Sequence, residues 1–229
     1  MEENTTENQA IEASAEEVIS YQQELYRKAI HLCSLSIPVF YALAGKWITL
    51  ALLVPMLGIT VLLDSARHKP GKTQRFVNKI FGNMLRAHEK DSNDKKLSGA
   101  SYVLLAACIC ILFFPKIIGI VAFSVLVVSD TAAALIGRKY GKHRLLDKSV
   151  EGTLAFILSG MMVVVCVGSL AQVGDLTFYA FGTIAVTIGA IVEVSSKRFQ
   201  IDDNISIPIA VGGVMLVLGL MEPGAYLGM

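Results

Sequence analysis

The sequence predicts an all-α fold: a polytopic integral membrane helical bundle with about seven transmembrane helices and one amphipathic helix at the cytoplasmic interface. Of its 229 residues, 54% are hydrophobic, and the mean hydropathy is +0.58. Seven apolar segments approach the length of roughly 20 residues that crosses a bilayer, and little sequence remains for a soluble domain. These segments are 31–44, which is short and starts nearer Tyr26, 47–63, 98–114, 117–136, 153–170, 178–194 and 205–220.

The cations are distributed unevenly, although the net charge is only +1. If the apolar segments cross the membrane in alternating directions, every Lys and Arg except Lys46 and Lys116 falls on one side. Connections rich in Lys and Arg stay in the cytoplasm by the positive-inside rule. The basic side, which includes the N-terminus, is therefore predicted to be cytoplasmic in a multi-pass membrane protein.

Two parts of the chain differ from the apolar bundle. Residues 1–17 contain six glutamates and no cation, which predicts a disordered acidic tail before a single transmembrane catalytic domain at 18–229. In the longest connection, 64–97, large apolar residues recur at helical spacing over 76–85. This spacing predicts the interfacial amphipathic helix, which is expected either to bind anionic lipid or to brace the bundle.

The most informative segment is 129–143, because Asp130 lies inside an otherwise apolar run that ends in glycines and cations. An ionisable side chain within a membrane span is costly to bury, and by default it marks a functional site. Gly137 and Gly141 permit close backbone approach to a phosphate, or they form a helix-packing motif. The cations that follow can neutralise phosphate oxygens, or they reflect membrane topology alone. They are Arg138, Lys139, Lys142, His143, Arg144 and Lys148.

The next span opens with Lys148-Ser149-x-Glu151-Gly152, where the free N–H groups of a helix start favour anions. Near the cytoplasmic end of the chain's last spans, Glu193 is followed by Asp202, Asp203 and Asn204. Carboxylate and amide oxygens suit a hard ion such as Mg²⁺, so Asp202 and Asp203 are predicted to build a metal site with Asp130. The alternative for Asp202 is an acidic turn that caps a helix.

A third group of polar residues lies before the first apolar segment. Arg27, Lys28 and His31 are three or four positions apart, so they share one helical face. Taken by themselves, these residues predict a basic anchor at the membrane interface.

Taken together, these motifs resemble the CTP-dependent lipid kinases, a family that includes dolichol kinase, phytol kinase and the fungal-type CTP-dependent diacylglycerol kinase. One departure is Ser129, where the family more often has glycine before the aspartate. The motifs that carry the resemblance are Arg27-Lys28-x-x-His31, Arg86-x-His88-Glu89 with Gly99, Asp130-x-x-Ala133 with Gly137-Arg138-x-x-Gly141, Lys148-Ser149-x-Glu151-Gly152, and Asp203-Asn204-x-x-x-Pro208.

The central segment is also similar to phosphatidate cytidylyltransferase, which makes CDP-diacylglycerol from CTP and phosphatidate. This chain lacks that enzyme's terminal Gly-His-Gly-Gly and Asp-Arg signature and has Asp203-Asn204 in that region. The kinase is therefore the leading interpretation and the cytidylyltransferase its alternative. A small transporter with a basic vestibule is a third hypothesis, but the far half of each span is almost purely apolar.

The resemblance implies transfer of the γ-phosphoryl group of CTP to a membrane lipid alcohol, such as a polyprenol, phytol or diacylglycerol, with Mg²⁺ as cofactor. It implies that Asp130, Asp202 and Asp203 hold the metal, and that Asp130, Lys148 and Glu151 are catalytic, with Glu151 orienting or deprotonating the lipid hydroxyl. A homo-oligomer is compatible with the sequence, and no nucleic-acid partner is expected. The residues expected to bind the nucleotide are Arg27, Lys28, His31, Arg86, Glu89, Gly137, Arg138, Gly141, Lys142, Ser149, Gly152, Lys197 and Asn204.

Overall fold

Helices make up nearly all of the computed structural model, which describes residues 21–67, 97–173, 175–199 and 201–222. The predicted tail at 1–17, the predicted interfacial helix at 76–85, and Arg86 and Glu89 lie outside these residues. Within them the chain forms eight helices and one hairpin of two-residue strands. These are α1 (Tyr21–Cys33), α2 (Ser36–Ala44), α3 (Lys46–Arg67), α4 (Gly99–Phe113), α5 (Lys116–Tyr140), β1 (Arg144–Leu145), β2 (Lys148–Ser149), α6 (Val150–Leu170), α7 (Leu176–Phe199) and α8 (Asp203–Met221).

Five of these helices are long and apolar enough to cross a membrane by length and composition, and α4 is a shorter apolar helix. They correspond to the predicted apolar segments and confirm the helical class of the fold. The five are Lys46–Ala66, Lys116–Tyr140, Val150–Leu170, Leu176–Ser196 and Asp203–Met221. The count of seven spans stays a prediction.

Two predicted boundaries are wrong. The first segment, 31–44, is divided between α1 and α2, which separate at Ser34 and Leu35. Pro38 has no N–H to bond to the carbonyl four residues earlier, so a continuous helix is interrupted there. In addition, α5 continues to Tyr140, so Arg138 is helical rather than part of a loop. Cations in the last turn of a helix interact favourably with the helix dipole.

Helix α5 is the centre of the bundle. It packs against α1, α2, α4, α6 and α8, and 78% of its most apolar stretch is buried, against 22% for α3. Its middle turns carry β-branched and leucine side chains that are fully buried, including Val121, Val125 and Leu126. The outer helices expose leucine, isoleucine and valine, which is the distribution expected when lipid rather than water surrounds them.

Lysines join the helix ends that lie away from Asp130. The Nζ of Lys46 donates to the carbonyl oxygen of Leu112 at 3.0 Å, and the Nζ of Lys116 donates to that of Ala42 at 2.8 Å. Both carbonyls belong to the last turn of a helix, where the intrahelical partner is missing. The starts of α3 and α5 are therefore tied to the ends of α4 and α2.

At the other end of the bundle, Asp64 ties the end of α3 to the start of α4. Its Oδ2 accepts hydrogen bonds from the N–H of Ser98 at 2.8 Å, from Ser98 Oγ at 3.0 Å and from Ser101 Oγ at 2.7 Å. Asp64 and Ser101 are both buried. This carboxylate thus fixes how two helices separated by a long connection meet.

A test of the packing around α5 is the replacement Gly119→Ala. A Cβ at Gly119 would lie 2.7 Å from the carbonyl oxygen of Cys110, so α4 and α5 must move apart to admit it. Overpacking of this kind typically costs about 1–3 kcal/mol, and we expect a lower apparent melting temperature in detergent. Gly213→Ala is the matched control, since a Cβ there meets nothing within 4 Å. Equal melting temperatures for the two variants would contradict this packing.

Candidate active site

Three carboxylates from three helices meet within the bundle. Oxygen atoms of Asp130, Glu193 and Asp203 all lie within 4.8 Å of one another. Asp130 is on α5, Glu193 is near the end of α7, and Asp203 is the first residue of α8. Because only a short connection separates α7 from α8, their two carboxylates reach the same face of α5. We call these three residues the acidic cluster.

Two lysines pair with the carboxylates of the acidic cluster. The Nζ of Lys28, on α1, donates to Asp130 Oδ2 in a buried ion pair. The Nζ of Lys148, on β2, lies 2.6 Å from Glu193 Oε1 and 3.3 Å from Asp203 Oδ2. Burial lowers the pKa of Lys148, but the charges of Asp203 and Glu193 raise it by more, so its pKa lies above the usual value and the ammonium stays protonated.

The donor set of the acidic cluster suits a divalent cation. Glu193 Oε2 and Asp203 Oδ1 are buried and accept no hydrogen bond from the residues that the structure describes. A buried acceptor without a partner costs free energy, and a bound cation removes that cost. Three carboxylate oxygens are ligands that a hard ion such as Mg²⁺ prefers.

Asp202 and Asn204 lie beside the acidic cluster and have a different role in the structure. Asp202 Oδ1 accepts from the N–H of Asn204 at 2.9 Å and from its Nδ2 at 2.7 Å, which caps the start of α8. Capping was the alternative interpretation of Asp202, and Glu193 is the residue that joins Asp130 and Asp203. The signal for Glu193 was its position, as an ionisable side chain inside an apolar segment.

Helix α1 brings further polar side chains to α5. His31 Nε2 lies 3.8 Å from Asp130 Oδ2. Glu24, which the sequence reasoning missed, is buried, and its carboxylate lies 2.5 Å from Arg27 Nη2 and 3.5 Å from Arg138 Nη2. The spacing of Glu24 and Arg27, three residues apart on one helix, is the signal that was present in the sequence.

This chain is similar in sequence to several known proteins. An uncharacterized protein of Rickettsia prowazekii is 31% identical over 187 residues, which cover 82% of this chain and 90% of the relative. The CTP-dependent diacylglycerol kinase 1 of Schizosaccharomyces pombe is 26% identical over 206 residues, covering 83% and 91%. A probable chloroplastic phytol kinase of Zea mays is 31% identical over 139 residues, covering 56% and 45%, so this chain matches less than half of its length. No protein-family model and no solved structure matches the chain.

The chain belongs to the CTP-dependent lipid kinase family.

The family's glycine motif lies where α5 meets the start of α6. A Cβ at Gly137 would lie 2.9 Å from Ser149 Oγ, and one at Gly152 would lie 2.9 Å from the carbonyl oxygen of Ala133. A Cβ at Gly141 would meet Ser149 at 2.8 Å, and Ser149 Oγ accepts from the N–H of Gly152 at 3.1 Å, capping α6. Gly137 and Gly141 therefore lie in the close helix contact that was one of their two predicted roles.

The hairpin between α5 and α6 carries other residues that the family resemblance implied. Lys142 and His143 are exposed, and Glu151 holds the hairpin: its carboxylate accepts from the N–H of His143 at 3.3 and 3.4 Å and lies 2.8 Å from His143 Nδ1. In the described part of the chain, these hydrogen bonds of the Glu151 carboxylate are therefore to His143 and not to the acidic cluster. Lys197 lies in the last turn of α7, and its side chain is outside the described part of the chain.

The Lys28–Asp130 pair can be tested by a double-mutant cycle. Asp130→Asn leaves the Lys28 ammonium buried without its counter-charge, and breaking such a pair typically costs about 3–5 kcal/mol. Combining Asp130→Asn with Lys28→Met removes both charges, so we expect the double variant to regain most of the lost stability. The measurement is the apparent melting temperature in detergent. Losses that simply add would contradict a direct pairing.

Proposed function

We propose that this protein is a CTP-dependent kinase that transfers the γ-phosphoryl group of CTP to the hydroxyl of a membrane lipid. The observation that carries the proposal is the acidic cluster, bordered by cations from α1 and β2, in a member of this family. The relative in Schizosaccharomyces pombe, aligned over 91% of its length, is a CTP-dependent diacylglycerol kinase. The acceptor class is accordingly a lipid alcohol, with diacylglycerol, phytol and a polyprenol as candidates.

The proposed reaction exchanges one phosphorus–oxygen bond for another. The lipid hydroxyl oxygen bonds to the γ-phosphorus while the bond from that phosphorus to the β–γ bridging oxygen breaks. The hydroxyl proton is released, and the products are a lipid phosphate and CDP. Such transfer depends mainly on positioning and on neutralising the charge of the phosphate oxygens.

The residues of the acidic cluster are proposed to hold Mg²⁺, with Glu193 in the place first predicted for Asp202. When bound, the ion supplies positive charge to the phosphate oxygens. Lys148 borders the cluster and is proposed to contact the transferred phosphoryl group, while Lys142 contacts phosphates further out. Lys28 pairs with the Asp130 carboxylate and is proposed to keep it oriented, while His31 Nε2 lies 3.8 Å from the same oxygen.

Glu151 stays the proposed group that orients or deprotonates the lipid hydroxyl. Its carboxylate is bonded to His143, so it would exchange that bond for one to the substrate. The uneven distribution of Lys and Arg supports a cytoplasmic location of the site and of the N-terminus. The lipid would enter sideways from the bilayer, between helices whose outer faces are apolar.

The proposed reaction is tested with CTP labelled in either of two positions. Purified protein in mixed micelles is given diacylglycerol, phytol or a polyprenol, and we expect label from the γ-phosphate to appear in a phosphorylated lipid. Asp130→Asn is expected to lose at least about a hundredfold in rate, as is typical when a group that stabilises transferred charge is removed. Asp175→Asn, a matched change outside the acidic cluster, is expected to keep its activity. Incorporation of the cytidine moiety into phosphatidate would instead identify a cytidylyltransferase.

The metal ligands are tested by the stability that Mg²⁺ confers. A ligand that binds only the folded state adds about 2.7 kcal/mol at a hundred times its Kd, so Mg²⁺ should raise the apparent melting temperature of the wild-type protein. We expect Glu193→Gln to abolish this increase and Asp202→Asn to retain it, since Asp202 caps α8. The reverse pattern would assign the third ligand to Asp202.

A further inference from the structure

Lys148 is held by the two carboxylates of the acidic cluster that carry unpaired oxygen atoms. Its Nζ lies 2.6 Å from Glu193 Oε1 and 3.3 Å from Asp203 Oδ2. The other oxygen of each carboxylate, Glu193 Oε2 and Asp203 Oδ1, is buried and has no hydrogen-bond partner among the described residues. Each carboxylate is therefore divided, with one oxygen on the ammonium group and the other available to a second cation.

The third carboxylate of the acidic cluster also acts on Lys148. Burial lowers the pKa of this lysine, but the charges of Asp203, Glu193 and Asp130 raise it by more. Oxygen atoms of the same three residues lie within 4.8 Å of one another. The ammonium group is therefore within electrostatic reach of all three carboxylates, and so is any cation bound between them.

A divalent cation between the three carboxylates would share two of them with the Lys148 ammonium group. Like charges at such short range repel each other, and a buried site contains little water to screen the repulsion. Cation binding and the lysine contacts therefore oppose each other. By thermodynamic reciprocity, the ammonium group weakens cation binding by the same factor by which the cation weakens the ammonium contacts.

The two lysines of the site differ in how firmly they are held. Lys28 lies on α1, is 3% exposed and pairs with Asp130. The side chain of Lys148 is 24% exposed, and it starts from a two-residue strand in a hairpin whose turn is exposed. A lysine has a flexible four-carbon stem, so the Lys148 ammonium group can swing toward solvent while its backbone stays in place. Of the two lysines, Lys148 is the one that yields to a cation.

We infer that Lys148 is an internal counter-ion of the acidic cluster that a divalent cation displaces, so this side chain sets the affinity of the site for the cation. The inference rests on the proposed function for the identity of the cation as Mg²⁺. It gives Lys148 a role before any nucleotide binds, because its ammonium group keeps Glu193 and Asp203 from repelling each other. The displaced ammonium group is then free for the phosphoryl contact proposed above.

The first test measures the Kd for Mn²⁺, a paramagnetic substitute for Mg²⁺, by electron paramagnetic resonance. The protein is in detergent micelles without nucleotide or lipid alcohol. We expect Lys148→Met to bind Mn²⁺ at least about tenfold more tightly than the wild-type protein, the scale of one charge-assisted contact. Arg144→Met removes an exposed cation from the neighbouring strand and is the matched control. Its Kd should stay within about twofold, because solvent screens exposed charges.

Thermal unfolding gives a second measurement, in which the same substitution has opposite effects without and with the cation. In a chelator, Lys148→Met leaves the carboxylates without their partner, so its apparent melting temperature should lie below that of the wild-type protein. Saturating Mg²⁺ should then raise the melting temperature of the variant by more than that of the wild-type protein. If Lys148→Met fails to fold in the chelator, Lys148→Gln takes its place, since it removes the charge and keeps a donor.

The displacement itself is followed by acetylating lysine side chains with and without Mg²⁺ and locating the products by mass spectrometry. We expect Lys148 to react faster when Mg²⁺ is bound, because its ammonium group has left the carboxylates. Lys28, which is buried against Asp130, should stay protected in both conditions. Lys142 is exposed and serves as the reference for the reagent.

The outcomes separate this inference from the proposed function, since none of these measurements uses CTP or a lipid alcohol. Mn²⁺ affinity that is unchanged or lower in folded Lys148→Met would overturn the inference, even if γ-phosphoryl transfer to lipid is observed. Equal acetylation of Lys148 with and without Mg²⁺ would overturn it as well. Absence of Mn²⁺ binding in both proteins would reject the counter-ion and the metal ligands together. Tighter binding by Lys148→Met, in a protein whose wild type transfers no phosphoryl group, would sustain the counter-ion and reject the kinase.

Discussion

The buried contact between Lys28 and Asp130 is the interaction on which the architecture of the site depends. A carboxylate in the most buried helix of an apolar bundle is stable only with a partner that offsets its lost hydration. The partner comes from α1, the least apolar of the described helices that touch α5. This explains why a helix with a charged face packs inward and exposes Tyr26 and Ile30 outward. In lipid this arrangement is favourable for both faces of α1, because the charged face has a partner in the bundle and the outer face carries Tyr26 and Ile30.

The position of the second lysine, Lys148, depends on the distance between α5 and α6. Lys148 reaches Glu193 and Asp203 from the hairpin, which is pinned to α6 by the bond between Glu151 and His143. Gly137 and Gly152 let α5 and α6 approach closely at that point. A larger side chain at either glycine would move the hairpin away from the acidic cluster. The glycines, the cap of α6 and the hairpin therefore act together to place one ammonium group.

Hydropathy predicted the helices because burial in lipid is a property of each segment by itself. It also marked Asp130, since one charge in a long apolar run is visible locally. The choice between neighbours was not visible: Asp202 and Asp203 are adjacent, but a helix start directs one side chain to the cap and the other toward α5. Glu24 was missed for a related reason, because its second partner, Arg138, lies more than a hundred residues away.

The division between lysines and arginines follows from their chemistry. An ammonium group is a compact charge that fits between the carboxylates of the acidic cluster, where Lys148 lies close to two of them. A guanidinium group is planar and offers donors along two edges, so Arg27 bonds both oxygens of Glu24 through Nε and Nη2 along one edge. Exchanging the two residue types would leave the net charge unchanged and lose both arrangements. In this bundle, therefore, the positions of the cations are set by donor geometry as much as by charge, and α1 aligns one cation of each kind with α5.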